Sequence, residues 1–383
     1  MSAPLQGCRV LDLGIITAGA ATAALLADMG AEVIKVESPT YRDPFRGWAG
    51  GPVAEPGGMP PLFRATNRNK VAVSLDLKHA DGRAAFLRLV EKSDVVVENF
   101  RRGVLARLGL DYESLRAANP NVILASISSQ GETGPDASYV SFGSTLEAVG
   151  GMAALTGYAG DAPVISGRDV NYPDQVAAIF AAGMIATAWR ARRGGASGCH
   201  LDLSQRELTS FLCGEAFAAD TDAMRRGNAQ PPHLLQDCFR DATGAWIAVT
   251  IDEHDLPTLC AVAGFSFAQT EADLNGALAR WIGGSDGAWC VRMLTGAGIA
   301  AAPALDGAGV LAHRDELWGN ALLRAEDGAL LKGFPFQLAE TPLAVRCDAP
   351  RIGADTADIL SRVGGYTGDE IAALAHSGAI ELG

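Results

Sequence analysis

Apolar positions in the first forty residues form short runs separated by an alanine-rich stretch, the pattern of one β-α-β unit. CRVLDLG (8–14) predicts a buried strand, AGAATAALLADMG (18–30) a helix closed by Gly30, and AEVIKVES (31–38) a second buried strand. Buried strands joined by a helix predict a parallel sheet of α/β type. Further strand-like runs stand at VAVSLDL (71–77), SDVVVENF (93–100) and NVILASIS (121–128), with helical stretches such as DGRAAFLRLVEKS (81–93) between some of them. The Rossmann-like pattern therefore runs to about residue 130. From Gly143 the texture becomes Gly/Ala-rich, and a long helix is predicted over Asp174–Arg193. A glycine turn then leads into a strand in RRGGASGCHLDLSQRE (192–207). The polar stretch from Glu215 to Pro232, broken by Gly227, Pro231 and Pro232, reads as a linker. CFRDATGAWIAVTI (238–251) predicts a hairpin turning at Asp241–Gly244, the start of a smaller unit. The tail, residues 353–383, predicts two helices with Thr and Asp near their starts.

A chain of 383 residues has room for roughly two to three domains, and its 48% apolar and 20% charged content excludes a disordered protein. Its net charge of −13 argues against nucleic-acid partners and against an anionic membrane surface, so an anionic ligand needs a local basic pocket. The seven cysteines are widely spread and contain no C-x-x-C pair, which predicts reduced thiols and a cytoplasmic location. The start, MSAPLQGCRV, has no basic segment leading into an apolar one, so no secretory signal is expected. The longest apolar stretch, Val176–Trp189, is shorter than the roughly 18 residues of a membrane span.

Several familiar chemistries can be weighed against the motifs. Glu37 ends the second strand where a ribose-binding acid of a dinucleotide site would stand, but Gly14 and Gly19 do not have the spacing of G-x-G-x-x-G, so a strand-end residue making local hydrogen bonds is favoured. An NAD-dependent oxidoreductase is the weakest alternative. No G-x-x-x-x-G-K-[ST] loop and no G-x-S-x-G elbow occur. The six histidines form no metal-ligating pair, so no metal is expected. Cys199 and His200 are neighbours on a predicted strand and therefore point to opposite faces.

Six segments carry a more specific signal: TAGAATAALLADMGAEVIKVESP (17–39), NRNKVAVSLDLK (67–78), VVVENFRRGVLARLGLDYESL (95–115), NPNVILASISSQGETGP (119–135), YPDQVAAIF (172–180) and GADTADIL (353–360). Together, and in this order, they resemble the family III CoA-transferases of the CaiB/BaiF type, which include formyl-CoA transferase, carnitine CoA-transferase and the α-methylacyl-CoA racemases. The resemblance implies a Rossmann-like large CoA-binding domain built from both chain ends (1–205 and 325–383), linkers at 206–231 and 311–324, and an inserted small α+β domain (232–310). It also implies an interlocked homodimer, coenzyme A as co-substrate, and acyl-CoA and carboxylic acid substrates.

The resemblance further implies that Asp174, at the start of the long helix, is the nucleophile. Its carboxylate would attack an acyl-CoA to give a mixed anhydride and CoA thiolate, and exchange would proceed through an aspartyl-CoA intermediate. On residue type alone, Asp174 reads instead as an N-cap after Pro173. Asp169, five residues earlier, is a competing carboxylate that reads as a loop residue. Glu147 falls where the family places a polar active-site side chain, with an ordinary helix-face glutamate as the alternative. CoA contacts carried over from the family motifs are Thr17, Ala18, Leu75, Lys78, Asn99, Phe100, Arg101 and Arg107. Ser38 replaces a basic residue common after the strand-end glutamate, and Arg42 or Arg46 would stand in for it. The racemase branch needs a histidine after GETGP, and DASYVSFGSTLEAVGG (136–151) holds none, so transfer is favoured over racemisation. A noncatalytic CoA-binding subunit is the third class.

Overall fold

The computed structural model describes residues 3–48, 59–166, 170–219, 225–265, 271–313, 321–325, 327–334, 336–341 and 343–383. The chain divides into two units, one of Met1–Met152, Ser166–Glu215 and Leu323–Gly383, the other of Ala153–Ile165 and Ala216–Leu322.

In the first unit, six strands run parallel: β1 (Arg9–Asp12), β2 (Glu32–Glu37), β3 (Lys70–Leu75), β4 (Val95–Glu98), β5 (Ile123–Ser128) and β6 (His200–Ser204). Their order across the sheet is β3-β2-β1-β4-β5-β6, and the terminal strand Ile380–Glu381 adds antiparallel to β3. Every residue of β4 and β5 is buried, and their sequences are accordingly mostly apolar, with Glu98, Ser126 and Ser128 as buried polar exceptions. Successive side chains still serve opposite faces. Leu11, Ile34 and Val73 pack with Ala85, Phe86 and Leu89 of the helix Ala80–Val90 and with Ile359 and Leu360 of the tail. On the other face, Val10, Val33, Val95 and Ile123 pack with the first helix, Ala18–Asp28, and with the long helix, Tyr172–Arg193. Cys199 packs on this second face while His200 stacks on Tyr112, so the two neighbours do point apart. The result is a mixed α/β fold with helices on both faces of a largely parallel sheet.

The long helix begins with Pro173 in its first turn and ends at Gly194, with Arg190, Arg192 and Arg193 in its last turn against the negative end of the helix dipole. Asn171 occupies the N-cap position in a left-handed conformation (φ 50°), and Asp174 is the third helical residue. Asp174 is thus not the cap, because three residues of helix already precede or include it. The polar stretch predicted as a linker from Glu215 begins inside a helix, Gly214–Ala219, and residues 220–224 lie outside those described. No helix among the described residues is long and apolar enough to cross a membrane.

The second unit holds a three-stranded antiparallel sheet of β7 (Leu235–Arg240), β8 (Trp246–Ile251) and β9 (Ala300–Pro303). The predicted turn joins β7 to β8, with Asp241 Oδ1 accepting from the Thr243 and Ala245 N–H groups. Phe239, Ile247 and Val249 of this sheet pack with Leu274, Leu278 and Leu294.

Candidate active site

Strand order reverses on either side of β1, and open α/β sheets bind ligands beyond the carboxyl ends of their strands at such a point. A cleft of about 940 Å³ lies there, lined by residues following β1, β2, β3, β4 and β5 and by the start of the long helix. The turn after β1 is held closed by a glycine pair: a Cβ on Gly14 would fall 2.4 Å from the Gly19 carbonyl carbon. Asn99 clamps the same turn from β4, its Oδ1 accepting the Ile15 N–H at 2.8 Å and its Nδ2 donating to the Ile15 carbonyl at 3.0 Å. Ile16 has φ 59°, a costly conformation for a β-branched residue, and its N–H reaches Asp43 Oδ1 at 3.2 Å.

Beneath this turn lies a buried lattice of charges. The Lys35 ammonium donates to the Gly14 carbonyl and to Asp43 Oδ2, and both members of the Lys35–Asp43 pair are fully buried. Lys70 donates to Asp12, to the Ala20 carbonyl and to Asn67. Burial lowers the Lys70 ammonium to about 8, against the pull of Asp12. Burial works the same way on Lys35, but Asp43, Asp12 and Glu37 outweigh it and hold the ammonium above its ordinary range. Glu37 accepts from Arg46 on both oxygens and from the Asp43 N–H. Although burial alone would raise it, these partners and Lys35 hold Glu37 below the usual carboxylate range.

Asp174 lines the cleft from the first turn of the long helix. Burial raises its carboxyl from 3.8 to about 6, with a hydrogen bond from Asn171 pulling the other way. Gly143 makes room for this pair: a Cβ there would overlap the Asn171 amide oxygen and stand 3.2 Å from Asp174 Oδ2. A carboxylate that is partly desolvated, yet still mostly ionised at pH 7, is a competent oxygen nucleophile.

The other residues picked from the sequence are dispersed around this point. Thr17, Leu75, Lys78, Asn99, Phe100, Arg101 and Arg107 line the cleft, whereas Ala18 is fully buried at the start of the first helix and does not. Lys78, Arg101 and Arg107 are exposed and have no ion-pair partner among the described residues, a donor set suited to phosphate groups. Arg46 is committed to Glu37 and to the Pro350 carbonyl, and Arg42 lies 3.6 Å from Glu381; neither lines the cleft. Glu147 is 2% exposed and outside the cleft lining, both its oxygens accepting from Ser166. Asp169 lies outside the described residues. No histidine lines the cleft among the described residues. Asn171, Gly143, Asp43 and Lys35 were not singled out from the sequence; the one advance signal was a lysine in the middle of an apolar strand.

The CoA-transferase family III pattern matches residues 5–356 of the chain. A succinate–glutarate CoA-transferase from Agrobacterium fabrum is 31% identical over 390 residues, covering 94% of this chain and 96% of that protein. A succinyl-CoA–D-citramalate CoA-transferase from Chloroflexus aurantiacus is 30% identical, covering 97% and 96%. Among solved structures, a CAIB/BAIF family protein from Brucella suis superposes with a TM-score of 0.87 at 27% identity, over 95% of this chain and all of that one. With the switch-point cleft, the half-buried aspartate and a match that spans nearly the whole sequence, the chain belongs to CoA-transferase family III.

Proposed function

We propose that the protein moves CoA between an acyl-CoA and a free carboxylic acid, with Asp174 as the covalent nucleophile. The observation that carries this is the half-desolvated Asp174 carboxylate at the head of the long helix, facing the cleft. Asp174 attacks the thioester carbonyl, the C–S bond breaks, and a mixed anhydride forms as CoA thiolate leaves. The thiolate then attacks the aspartyl carbonyl of the anhydride and expels the first acid, leaving an aspartyl-CoA thioester. The incoming carboxylate attacks that thioester and the thiolate returns to the new acyl carbon, which regenerates the Asp174 carboxylate. Each step exchanges one acyl bond for another, so the bond energy of the thioester is conserved.

Lys78, Arg101 and Arg107 support a CoA site at the open side of the cleft, where charge-assisted hydrogen bonds would hold the diphosphate and 3′-phosphate. Similarity to enzymes named for succinate, glutarate and citramalate makes short dicarboxylic acids the first acceptors to assay. Ile179, Phe180 and Met184 expose apolar surface on the long helix, in keeping with an interlocked homodimer, and the seven free cysteines are in keeping with a cytoplasmic enzyme. The test is label exchange between succinyl-CoA and labelled succinate or glutarate. Exchange by the parent and none by Asp174→Ala, with CoA binding retained, is expected; an Asp174→Ala variant turning over near the parent rate would refute the assignment.

A further inference from the structure

Gln205 begins the helix Gln205–Leu212 immediately after β6, capped by Ser204, whose hydroxyl accepts the Glu207 N–H. One turn later Leu208 and Thr209 are buried, and Leu208 shares an apolar core with Ala177 and Ala181 of the long helix. Gln205 therefore lies one turn ahead of that contact on the same helix face. Asp174 likewise lies one turn ahead of the buried Ala177 and Ala178. Both first-turn side chains line the cleft.

Gln205 is 6% exposed, yet its Oε1 has no hydrogen-bond partner among the described residues. The other buried side-chain atoms in that condition, Arg68 Nε, Ser74 Oγ, Arg225 Nε and Glu381 Oε2, belong to residues that do not line the cleft. A helix position facing another helix ordinarily holds an apolar side chain, and an unpaired buried amide is costly. The amide oxygen is thus a buried polar group without a partner among the described residues, in a cleft wall that mixes apolar residues (Ile127, Ala137, Phe142) with serines (Ser128, Ser138), placed where a ligand can satisfy it.

We propose that Gln205 determines acyl specificity, its carboxamide hydrogen-bonding a hydroxyl or carboxyl substituent on the acid that Asp174 carries. The inference rests on the transferase function above. A carboxamide offers an acceptor and two donors and turns easily about its last torsion, so it can meet a hydroxyl or a carboxylate. An unsubstituted alkyl chain leaves it unpaired, and a site built around a hydrogen bond discriminates against ligands that lack the partner.

The test measures dissociation constants of butyryl-CoA, 3-hydroxybutyryl-CoA and succinyl-CoA for the full-length protein and for Gln205→Met and Gln205→Glu. The parent is expected to bind the two substituted esters about tenfold more tightly than butyryl-CoA. Gln205→Met should erase that preference while retaining butyryl-CoA affinity. Gln205→Glu, which keeps the shape and the acceptor, should retain 3-hydroxybutyryl-CoA and reject succinyl-CoA by charge repulsion, and it decides the matter alone if the Met variant folds poorly. No preference in the parent, an unchanged ratio in the variants, or an equal loss for all three esters would overturn the proposal. Parallel exchange assays on the parent separate this from the transferase function: normal binding preferences without exchange would refute the latter alone.

Discussion

Asp174 ties chemistry and stability together at a single carboxyl group. With its pKa raised by burial to about 6, the proposed nucleophile loses its anionic form as pH falls through 6, and kcat/KM for CoA exchange should drop along an acid limb centred there. A limb near pH 4 in a pH–rate profile would show a carboxylate untouched by burial. The same shift has a thermodynamic side. The folded protein keeps the Asp174 proton to higher pH than the unfolded chain, so the stability linked to this group is fully present below about pH 4 and is lost as pH rises through about 6. Asp174→Asn should therefore stabilise the protein by about 1 to 3 kcal/mol at pH 7.5 and by nothing measurable at pH 4, read from urea unfolding at both values. The sequence made this residue visible only through the family motif around it. Read for residue type alone it is an N-cap, and nothing local reveals that Asn171 holds that position or that Gly143 makes room for the pair.

Strands and turn form the next level, where the central device is the closed turn after β1. Lys35 and Asp43 grip it from below, binding the Gly14 carbonyl and the Ile16 N–H, and Asn99 grips Ile15 from the side. Asp43→Ala leaves the Lys35 ammonium without its nearest countercharge and frees Ile16 to leave φ 59°. It should cost about 3 to 5 kcal/mol in urea unfolding and weaken CoA binding together with it. A variant with parent stability would show that the buried pair does not hold the turn. The strands themselves were readable because burial on both faces makes their sequences predominantly apolar, as in the Val95–Val97 run of β4. The charge lattice was not, since Lys70 meets Asp12 across 58 residues and no local pattern joins them. Even so, a lysine flanked by Ile and Val in β2 is a sign that a buried countercharge exists somewhere.

Across the whole molecule, the net charge of −13 opposes an anionic ligand, so CoA affinity must come from a few local cations. Arg107→Ala or Lys78→Ala should each raise the CoA dissociation constant by roughly tenfold, with NAD showing no comparable binding. Calorimetric titration that found CoA affinity indifferent to both changes would remove these residues from the site. Periodicity predicted an α/β protein correctly, because helical and strand periods differ plainly in this chain. It could not give the strand order, which brings the tail strand Ile380–Glu381 beside β3 and puts the β1 and β4 loops on either side of one cleft. That arrangement depends on contacts between segments far apart in sequence, which periodicity does not register.

The proposed mechanism requires Asp174 to become covalently acylated during CoA exchange. Its most direct measurement is mass spectrometry of peptides from the protein after incubation with succinyl-CoA and quenching with hydroxylamine. A hydroxamate on Asp174, absent in Asp174→Asn and in samples without acyl-CoA, is the predicted result. Sustained exchange by the parent with Asp174 unmodified, or undiminished exchange by Asp174→Asn, would rule out Asp174 as the acylated residue.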